Sequence, residues 1–322
     1  MTRARVAALV AVIVIASVAA LPFLADKFTV QFATRILIMA IFAMSLNMLV
    51  GQTGLVSLGH AAFFGAAGYA LALFSPQYAA ANFWISLLVA VFTSGILALA
   101  IGLLVLRTGG VYFIMATLAF SQMLYFLFHD TALAGGSDGI YINVRPDSSL
   151  FGWRPFDLEK FGQFHFVVLG AFVLTTVFLA RLRTSLFGRV LDGIRVNEPR
   201  MKSLGFATFR YKLICFVMAG MLAGLSGYLA AAQFGVVNPD MLGWHLSGAV
   251  LMMVIFGGMG TLAGPAVGAA ALLLLELGLQ SLPSAGAMNL GKHWQLPLGI
   301  VIVLVALYLP NGIAHLKKAR DG

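Results

Sequence analysis

Residues 181–212 read RLRTSLFGRVLDGIRVNEPRMKSLGFATFRYK and form the longest basic interval between apolar segments of this chain. The interval holds eight lysines and arginines against two acids, Asp192 and Glu198. A helical reading of its first half places apolar side chains on one face and charged ones on the other. The apolar face comprises Leu186, Phe187, Val190, Leu191 and Ile194, and the polar face comprises Arg189, Asp192 and Arg195. This pattern predicts a structured connection between spans, and a solvated connector that only sets topology is the alternative.

A second, shorter helix is predicted within the same interval. Asn197 suits an N-cap, Glu198 suits the positive end of a helix dipole, and Pro199 is tolerated in a first turn. Gly205 can adopt the left-handed conformation that ends a helix. Because about two helical turns are unstable alone, we expect this helix to pack against another element.

The composition around this interval decides the class of protein. Hydrophobic residues make up 61% of the 322-residue chain and charged residues only 10%, against about 25% charged in a soluble domain. Several apolar runs exceed the roughly 18 residues that span a bilayer core. The net charge of +9 does not require nucleic acid, because basic residues gather on the cytoplasmic side of membrane proteins. The sequence predicts an all-α polytopic membrane protein that forms one domain over residues 1–322.

Ten spans are predicted from the apolar runs. They are Val6–Leu24, Phe32–Val50, Leu55–Phe74, Phe83–Leu106, Val111–Phe128, Phe164–Ala180, Leu213–Ala232, Ser247–Leu262, Gly264–Gln280 and Trp294–Leu309. The first run is a candidate signal peptide, but it is longer than the roughly 7–15 residues of a signal core, so a retained helix is favoured. Cys215 is the only cysteine and lies in an apolar run, which predicts a buried thiol.

Orientation is predicted by counting basic residues. With both termini inside, the cytoplasmic segments hold 14 lysines and arginines: Arg3, Arg5, Arg107, the eight of 181–212, and Lys317, Lys318 and Arg320. The outer segments hold six: Lys27, Arg35, Arg145, Arg154, Lys160 and Lys292. The excess inside has the sign that the positive-inside rule requires. The loop 129–163 is then external, and it is either a docking surface for an outside partner or a plain interfacial loop.

Two apolar stretches are interrupted by glycine in a similar way. Gly51-Gln-Thr-Gly54 precedes LVSLGHAAFFGAAGYA, and Gly257-Gly-Met-Gly260 precedes TLAGPAVGAA. Paired glycine-interrupted segments point to a transport site, because irregular backbone at membrane depth is tolerated only inside protein or beside a wet cavity. Close helix packing is the alternative, since small residues recur at three- and four-residue spacing. Such a ridge comprises Ala61, Gly65, Gly68 and Ala72.

Polar residues within the spans are further candidates, because burying them in hydrocarbon is costly. Ser57 and His60 are three residues apart beside the first glycine break, and they either face a cavity or hydrogen-bond a neighbouring helix. Asn47 and Gln122 are more often helix–helix hydrogen-bonding residues than ligands. Glu276 is close enough to the outer end of its span to reach the headgroups. The candidate pathway set is Asn47, Ser57, Gly59, His60, Gly257, Gly258, Gly260 and Glu276.

Enzymatic and metal-binding motifs are missing from the sequence. It contains no HExxH, no metal-spaced His/Cys cluster and no nucleophile elbow, so we expect no catalytic residue, metal or cofactor. No series of charged residues threads the spans as a proton relay would. Sodium coupling through unwound backbone needs few charges and stays open, which makes an ion-coupled secondary transporter the rival hypothesis. A structural or scaffolding subunit is a third.

Several segments together resemble the LivM-type permease subunits of ABC importers for branched-chain amino acids. They are GLVSLGHAAFFGAAGYA at 54–70, LRTGGVYFIMATLAFSQM at 106–123, GGSDGI at 135–140, GRVLDGIRVNEPRMKSLGFATFRYKLICFVMAGMLAGLSG at 188–227, LSGAVLMMVIFGGMGTLAGPAVGAA at 246–270 and LPNGI at 309–313. The resemblance implies an ABC importer permease fold in a bacterial inner membrane. It also implies a second, LivH-like permease, two cytoplasmic ATPases and an external substrate-binding protein as partners.

The resemblance further implies that residues in 181–212 form the coupling helix that sits in a cleft of the ATPase. The matching positions are Arg195, Asn197, Glu198, Pro199, Arg200, Met201, Leu204 and Gly205. Many members of that family carry a less basic helix here, and an acidic residue is frequent where this chain has Ala249. Relatives also transport urea, short amides or small aromatic acids, so these stay as alternatives to branched-chain amino acids.

Overall fold

The computed structural model describes residues 3–76, 79–131, 134–149, 153–281, 294–308 and 312. The predicted cytoplasmic charges Lys317, Lys318 and Arg320, the outer Lys292, and most of the LPNGI segment at 309–313 lie outside these residues.

Within the described ranges the chain is helical with ten apolar helices. Five are long and apolar enough to cross a membrane, namely α2 (Lys27–Thr53), α4 (Phe83–Val105), α5 (Val111–Asp130), α6 (Phe161–Thr184) and α9 (Thr208–Phe234). Five are shorter in their apolar part, namely α1 (Arg3–Leu24), α3 (Ala61–Phe74), α10 (Trp244–Gly257), α11 (Gly264–Gln280) and α12 (Gln295–Tyr308). The predicted all-α polytopic fold is confirmed.

The basic interval contains two helices of its own. They are α7 (Leu186–Val196) and α8 (Glu198–Ser203). The predicted apolar face of α7 is correct for Leu191 and Ile194, which are buried, but Leu186 is 74% exposed. The expected start of the next span at Leu213 is also wrong, because α9 begins at Thr208 and its first turn packs against α8.

The core of the bundle lies along α2 and α9. Both helices are largely buried, whereas α5 presents most of its side chains to the outside. α9 packs along α2, α3 and α4, and small residues permit the close approach. A Cβ at Gly227 would collide with the backbone of Phe64 on α3, and one at Gly224 would meet the Ser94 side chain at 2.3–2.6 Å. The predicted small-residue ridge of α3 is buried, and its Gly65 faces Leu242.

A small sheet joins the segments predicted to lie outside. Strand β1 (Ile140–Tyr141) pairs antiparallel with β2 (Val236–Val237), which directly follows α9. α8 contacts the beginning of α9 and β2 lies at its end. Because 27 helical residues measure about 40 Å, the basic interval and the sheet lie at opposite ends of α9.

Candidate functional site

The two helices of the basic interval are capped by their own side chains. Ser185 Oγ accepts a hydrogen bond from the Gly188 amide at 3.2 Å and begins α7. Asn197 Oδ1 accepts one from the Arg200 amide at 3.0 Å and begins α8. Gly205 has φ +89°, a left-handed conformation, just after α8 ends. The sequence therefore specifies a sharp two-helix connection here, as predicted from Asn197 and Gly205.

The Glu198 carboxylate fastens α8 to α9. Its Oε1 lies 2.9 Å from Lys212 Nζ and 3.1 Å from Lys202 Nζ, and it accepts a hydrogen bond from Thr208 Oγ1 at 3.0 Å. Partial burial acts to raise the pKa of this carboxyl, but the hydrogen bonds from Lys212, Lys202 and Thr208 outweigh burial, so the pKa lies below its ordinary value. Glu198 thus faces its own bundle and is ionised at neutral pH.

Arg195 joins α7 to the first glycine break. Its guanidinium donates a hydrogen bond to the Gly51 carbonyl. The same guanidinium lies beside the second break, since a Cβ at Gly260 would stand 3.4 Å from Arg195 Nη1. One side chain from the basic interval therefore contacts both interruptions.

The two glycine breaks touch each other near the end of α2. The first break separates α2 from α3 at 54–60, and the second separates α10 from α11 at 258–263. A Cβ on Gly51, in the last turn of α2, would lie 2.8 Å from the Gly260 Cα. Asn47 connects them: its Nδ2 donates to the Thr261 carbonyl at 2.8 Å, and its Oδ1 accepts from the Gly260 amide at 2.9 Å. The expected span Leu55–Phe74 is accordingly wrong at its start, because α3 begins only at Ala61.

Glycine is required at these breaks for two reasons. Gly54, Gly258 and Gly260 have φ values of +73°, +110° and +74°, which other residues rarely adopt. A Cβ at Gly257 would collide with the Gly264 carbonyl on α11. The cavity at the junction measures only about 20 Å³, enough for about one water molecule. The junction is closed in this structure.

Comparison with known proteins shows the family of this chain. A family profile described as branched-chain amino acid transport system / permease component matches residues 28–308. The chain belongs to this permease family. It is 30% identical to the high-affinity branched-chain amino acid transport system permease protein LivM of Escherichia coli K12, over 97% of this chain and 75% of that protein. No solved structure gives a significant match.

More distant relatives cover less of the permease. The ribose import permease protein RbsC of Escherichia coli K12 is 24% identical over 56% of this chain and 57% of its own length. The LivH permease protein of Salmonella typhimurium is 24% identical over 62% of this chain and 63% of its own. These relatives are permease components, so the permease is a transport subunit rather than an enzyme. Within the described residues no group of three His, Cys, Asp or Glu side chains is placed to hold a metal.

The permease packs His60 and Ser57 into its interior. His60 is fully buried, its Nε2 lies 2.9 Å from Ser45 Oγ on α2, and its ring stacks on Phe42. Ser57 is also fully buried and accepts a hydrogen bond from the Gly59 amide at 3.3 Å. His60 therefore makes a hydrogen bond to a neighbouring helix, whereas the hydrogen bond of Ser57 is local. Gly59 lies against the Thr117 carbonyl of α5.

Glu276 stands apart from the other candidates. It is half-buried on α11 and accepts a hydrogen bond from Gln280 Nε2 at 3.2 Å. Twelve residues separate it from the start of α11, a rise of about 18 Å. The structure brings together Asn47, Gly257, Gly258 and Gly260 but not Glu276. The thiol of Cys215 is buried, as predicted.

Sequence reasoning missed a half-buried arginine on α2. Arg35 was counted only as an outer charge, yet it lines a cavity of about 320 Å³ together with Gln233 and Asp240. The available signal was a single cation within FTVQFATRILIMAIF, an otherwise apolar stretch. Gln233 lies in the last turn of α9 and Asp240 follows that helix, and nothing in their local sequence indicates a shared cavity.

Proposed function

We propose that this permease is the transmembrane subunit of an ATP-driven importer that carries branched-chain amino acids into the bacterial cytoplasm. The observation that carries the proposal is that the basic interval is attached to the rest of the bundle at two places. Glu198 fastens it to α9, and Arg195 hydrogen-bonds the first glycine break and lies beside the second. Displacement of α7 and α8 by an outside motor would thus act directly on the breaks and on a central helix.

The exposed surface of the interval suits a protein partner. Val196 is 85% exposed and Leu204 is 65% exposed, while Pro199, Arg200 and Gly205 are also exposed. Val196 was absent from the positions that the sequence suggested, because it belongs to α7 rather than to the capped short helix. Isolated apolar side chains ringed by cations fit a cleft with an apolar floor and an acidic rim. We assign this surface to one of two cytoplasmic ATPases.

The remaining partners complete an importer of five subunits. A second, LivH-like permease would supply the other half of the membrane domain, with both termini of this chain in the cytoplasm. A soluble binding protein would dock on the outer loop 129–163. The loop carries charges of both signs around a cavity of about 440 Å³ that includes Arg145, Asp147, Arg154 and Glu159. Burial lowers the pKa of Arg145 below its ordinary value, although the nearby charge of Glu159 acts to raise it.

The transport cycle follows from the closed junction. Asn47 and Gly260 line a cavity too small for an amino acid, so the ligand must wait on the outer side until the breaks separate. ATP-driven closure of the ATPases would move Arg195 and, through it, the Gly51 carbonyl. Because the solute would be released to the inside only after this movement, the glycine breaks would act as the inner gate.

Reconstitution tests the proposal against its rivals. The permease, co-purified with its native partners, is placed in liposomes with internal or external ATP, and uptake of radiolabelled leucine, urea and benzoate is measured. ATP-dependent leucine uptake is expected, and it should vanish when the ATPases are omitted. Leucine movement by the permease alone down a sodium or proton gradient would replace the importer with a secondary transporter. ATP-driven uptake of urea or benzoate but not leucine would change the substrate class.

A further inference from the structure

A cavity at the predicted outer end of the bundle has the dimensions of a small-ligand site. It measures about 320 Å³, within the roughly 300–1,000 Å³ of small-molecule pockets. A second cavity of about 340 Å³ adjoins it and shares Arg35, Gln233 and Phe234. The two form one groove that is lined by α2, by the end of α9 and by the segment that follows α9.

A cation lines this groove without a partner among the described residues. Arg35 is half-buried on α2, and within the described ranges it makes no ion pair or hydrogen bond. Holding an unpaired guanidinium partly out of water is costly. Its planar group matches a carboxylate in a bidentate geometry. An anionic ligand would remove the cost.

Two hydrogen-bond acceptors line the same cavity. Asp240 is exposed, and in the part of the chain that the structure describes its carboxylate accepts one long hydrogen bond, from Asn238 Nδ2 at 3.4 Å. Gln233 donates through Nε2 to the Gln31 carbonyl at 2.8 Å, while its Oε1 is buried and has no hydrogen-bond partner in the described part of the chain. An ammonium group supplies up to three donors for such acceptors.

The same cavity also has an apolar wall. It includes Ile38, Met39, Phe64, Met241 and Leu246. We propose that this groove is an outer binding site of the permease for the zwitterion of an amino acid with an apolar side chain. Arg35 holds the carboxylate, Asp240 and Gln233 Oε1 accept from the ammonium, and the apolar wall takes the side chain. The assignment rests on the proposed function and adds the residues that recognise the ligand.

This arrangement selects against uncharged solutes. A sugar or urea would leave Arg35 unpaired and would not offer an ammonium to Asp240. The polar groups left without partners would weaken the binding of such solutes, and this cost adds to the loss of favourable contacts. A carboxylate without an amine, or an amine without a carboxylate, would satisfy only one end.

Cysteine protection measures occupancy of the site directly. Cys215 is the only native cysteine and is buried, so Met241→Cys places one reactive thiol on the groove. Leu246→Cys is a second reporter if the first does not fold. Each is alkylated with a membrane-impermeant maleimide in the assembled complex, with excess leucine, isoamylamine (no carboxylate) or 4-methylpentanoate (no amine). Leucine is expected to slow alkylation at least about fivefold, and the two analogues are not.

Charge-removing variants then separate the site from the rest of the outer surface. Arg35→Gln and Asp240→Asn should each abolish protection and lower leucine uptake at least about tenfold, the scale of one charge-assisted hydrogen bond. Asp26→Asn and Lys27→Gln remove exposed outer charges that line neither cavity of the groove and should leave both unchanged. Normal leucine uptake with no protection would overturn the site and leave the proposed function standing. A reporter that reacts in the isolated permease but never in the complex would also overturn it, because a second permease would cover the groove. A complete complex that takes up no branched-chain amino acid contradicts the proposed function and this site with it.

Discussion

The Glu198 carboxylate lies 2.9 Å from the Lys212 ammonium, and this ion pair joins the six-residue α8 to the first turns of α9. Lys212 is 8% exposed, whereas the Glu198 side chain is 29% exposed, so the ammonium is the shielded partner. Removal of the carboxylate is costly, because it leaves this charge buried without its partner. The attachment of α8 to α9 therefore depends on Glu198 and on its two partners in α9, Lys212 and Thr208.

We expect Glu198→Gln to weaken the coupling of ATP hydrolysis to transport. The change leaves Lys212 without its carboxylate and should cost about 1.5–3 kcal/mol of local stability. ATPase subunits should still co-purify, since the exposed face is unchanged, while leucine uptake per ATP hydrolysed falls severalfold. The exchanged pair Glu198→Lys with Lys212→Glu should recover part of the loss. Undiminished uptake per ATP in Glu198→Gln would show that the ion pair does not transmit force.

The same ion pair predicts a particular pH response. Because the folded pKa of Glu198 lies below its ordinary value, which is about 4.3, the stabilisation is fully present above that ordinary value. It is lost as pH falls through the lower folded pKa. Hydrogen exchange of α8 amides should therefore be flat from about pH 6 to about pH 8 after correction for intrinsic rates. Loosening of α8 within that window would contradict the assigned charge state.

Arg195 is expected to be needed for transport but not for ATPase binding. Arg195→Gln removes the charged donor to the Gly51 carbonyl and should lower ATP-dependent leucine uptake at least about tenfold. Arg189→Gln is the matched control, since Arg189 is exposed on the same helix. Pull-down of the ATPases and ATP hydrolysis are measured beside uptake. If leucine uptake fell equally in both variants, Arg195 would contribute only positive charge and its contact with Gly51 would have no specific role.

Replacement of Gly51 by alanine should disrupt the contact between the breaks. The new methyl would stand 2.8 Å from the Gly260 Cα and 3.0 Å from Asn47 Oδ1, and overpacking of this kind costs about 1–3 kcal/mol. We expect a lower midpoint of thermal unfolding in detergent, read by fluorescence-detected size exclusion. Gly278→Ala on α11 has nothing within 4 Å of its new Cβ and should be neutral or slightly stabilising.

The sequence predicted the helices and their ends better than the contacts between distant segments. Caps and breakers are local, so Asn197, Gly205 and the two glycine interruptions could be located from neighbouring residues. The contact of Gly51 with Gly260 could not, because it joins segments more than 200 residues apart and depends on how α10 and α11 pack against α2. The ion pair between Glu198 and Lys212 was also missed, because Lys212 was assigned to the loop, whereas it lies in the first turns of α9. The groove of Arg35, Gln233 and Asp240 needs three segments at once.

His60 offers a direct test of packing against transport. Its ring fills a space between Phe42 and Phe63 and hydrogen-bonds Ser45. His60→Ala should therefore lower the thermal midpoint through lost packing and a lost hydrogen bond. Uptake by the surviving complex should keep its KM for leucine. A raised KM with unchanged stability would instead return His60 to the transport pathway.

The proposed orientation predicts which single cysteines can be labelled from outside. Leu204 and Tyr141 are 65% and 69% exposed, and they belong to segments at opposite ends of α9. Tyr141→Cys should react with an impermeant maleimide in intact cells, after removal of any outer barrier, whereas Leu204→Cys should react only after the inner membrane is opened. The unmodified chain provides the background, since its single thiol is buried. Labelling of Leu204→Cys in intact cells would place α7 and α8 outside, where no ATPase could reach them, and the coupling role of Arg195 and Glu198 would have to be abandoned.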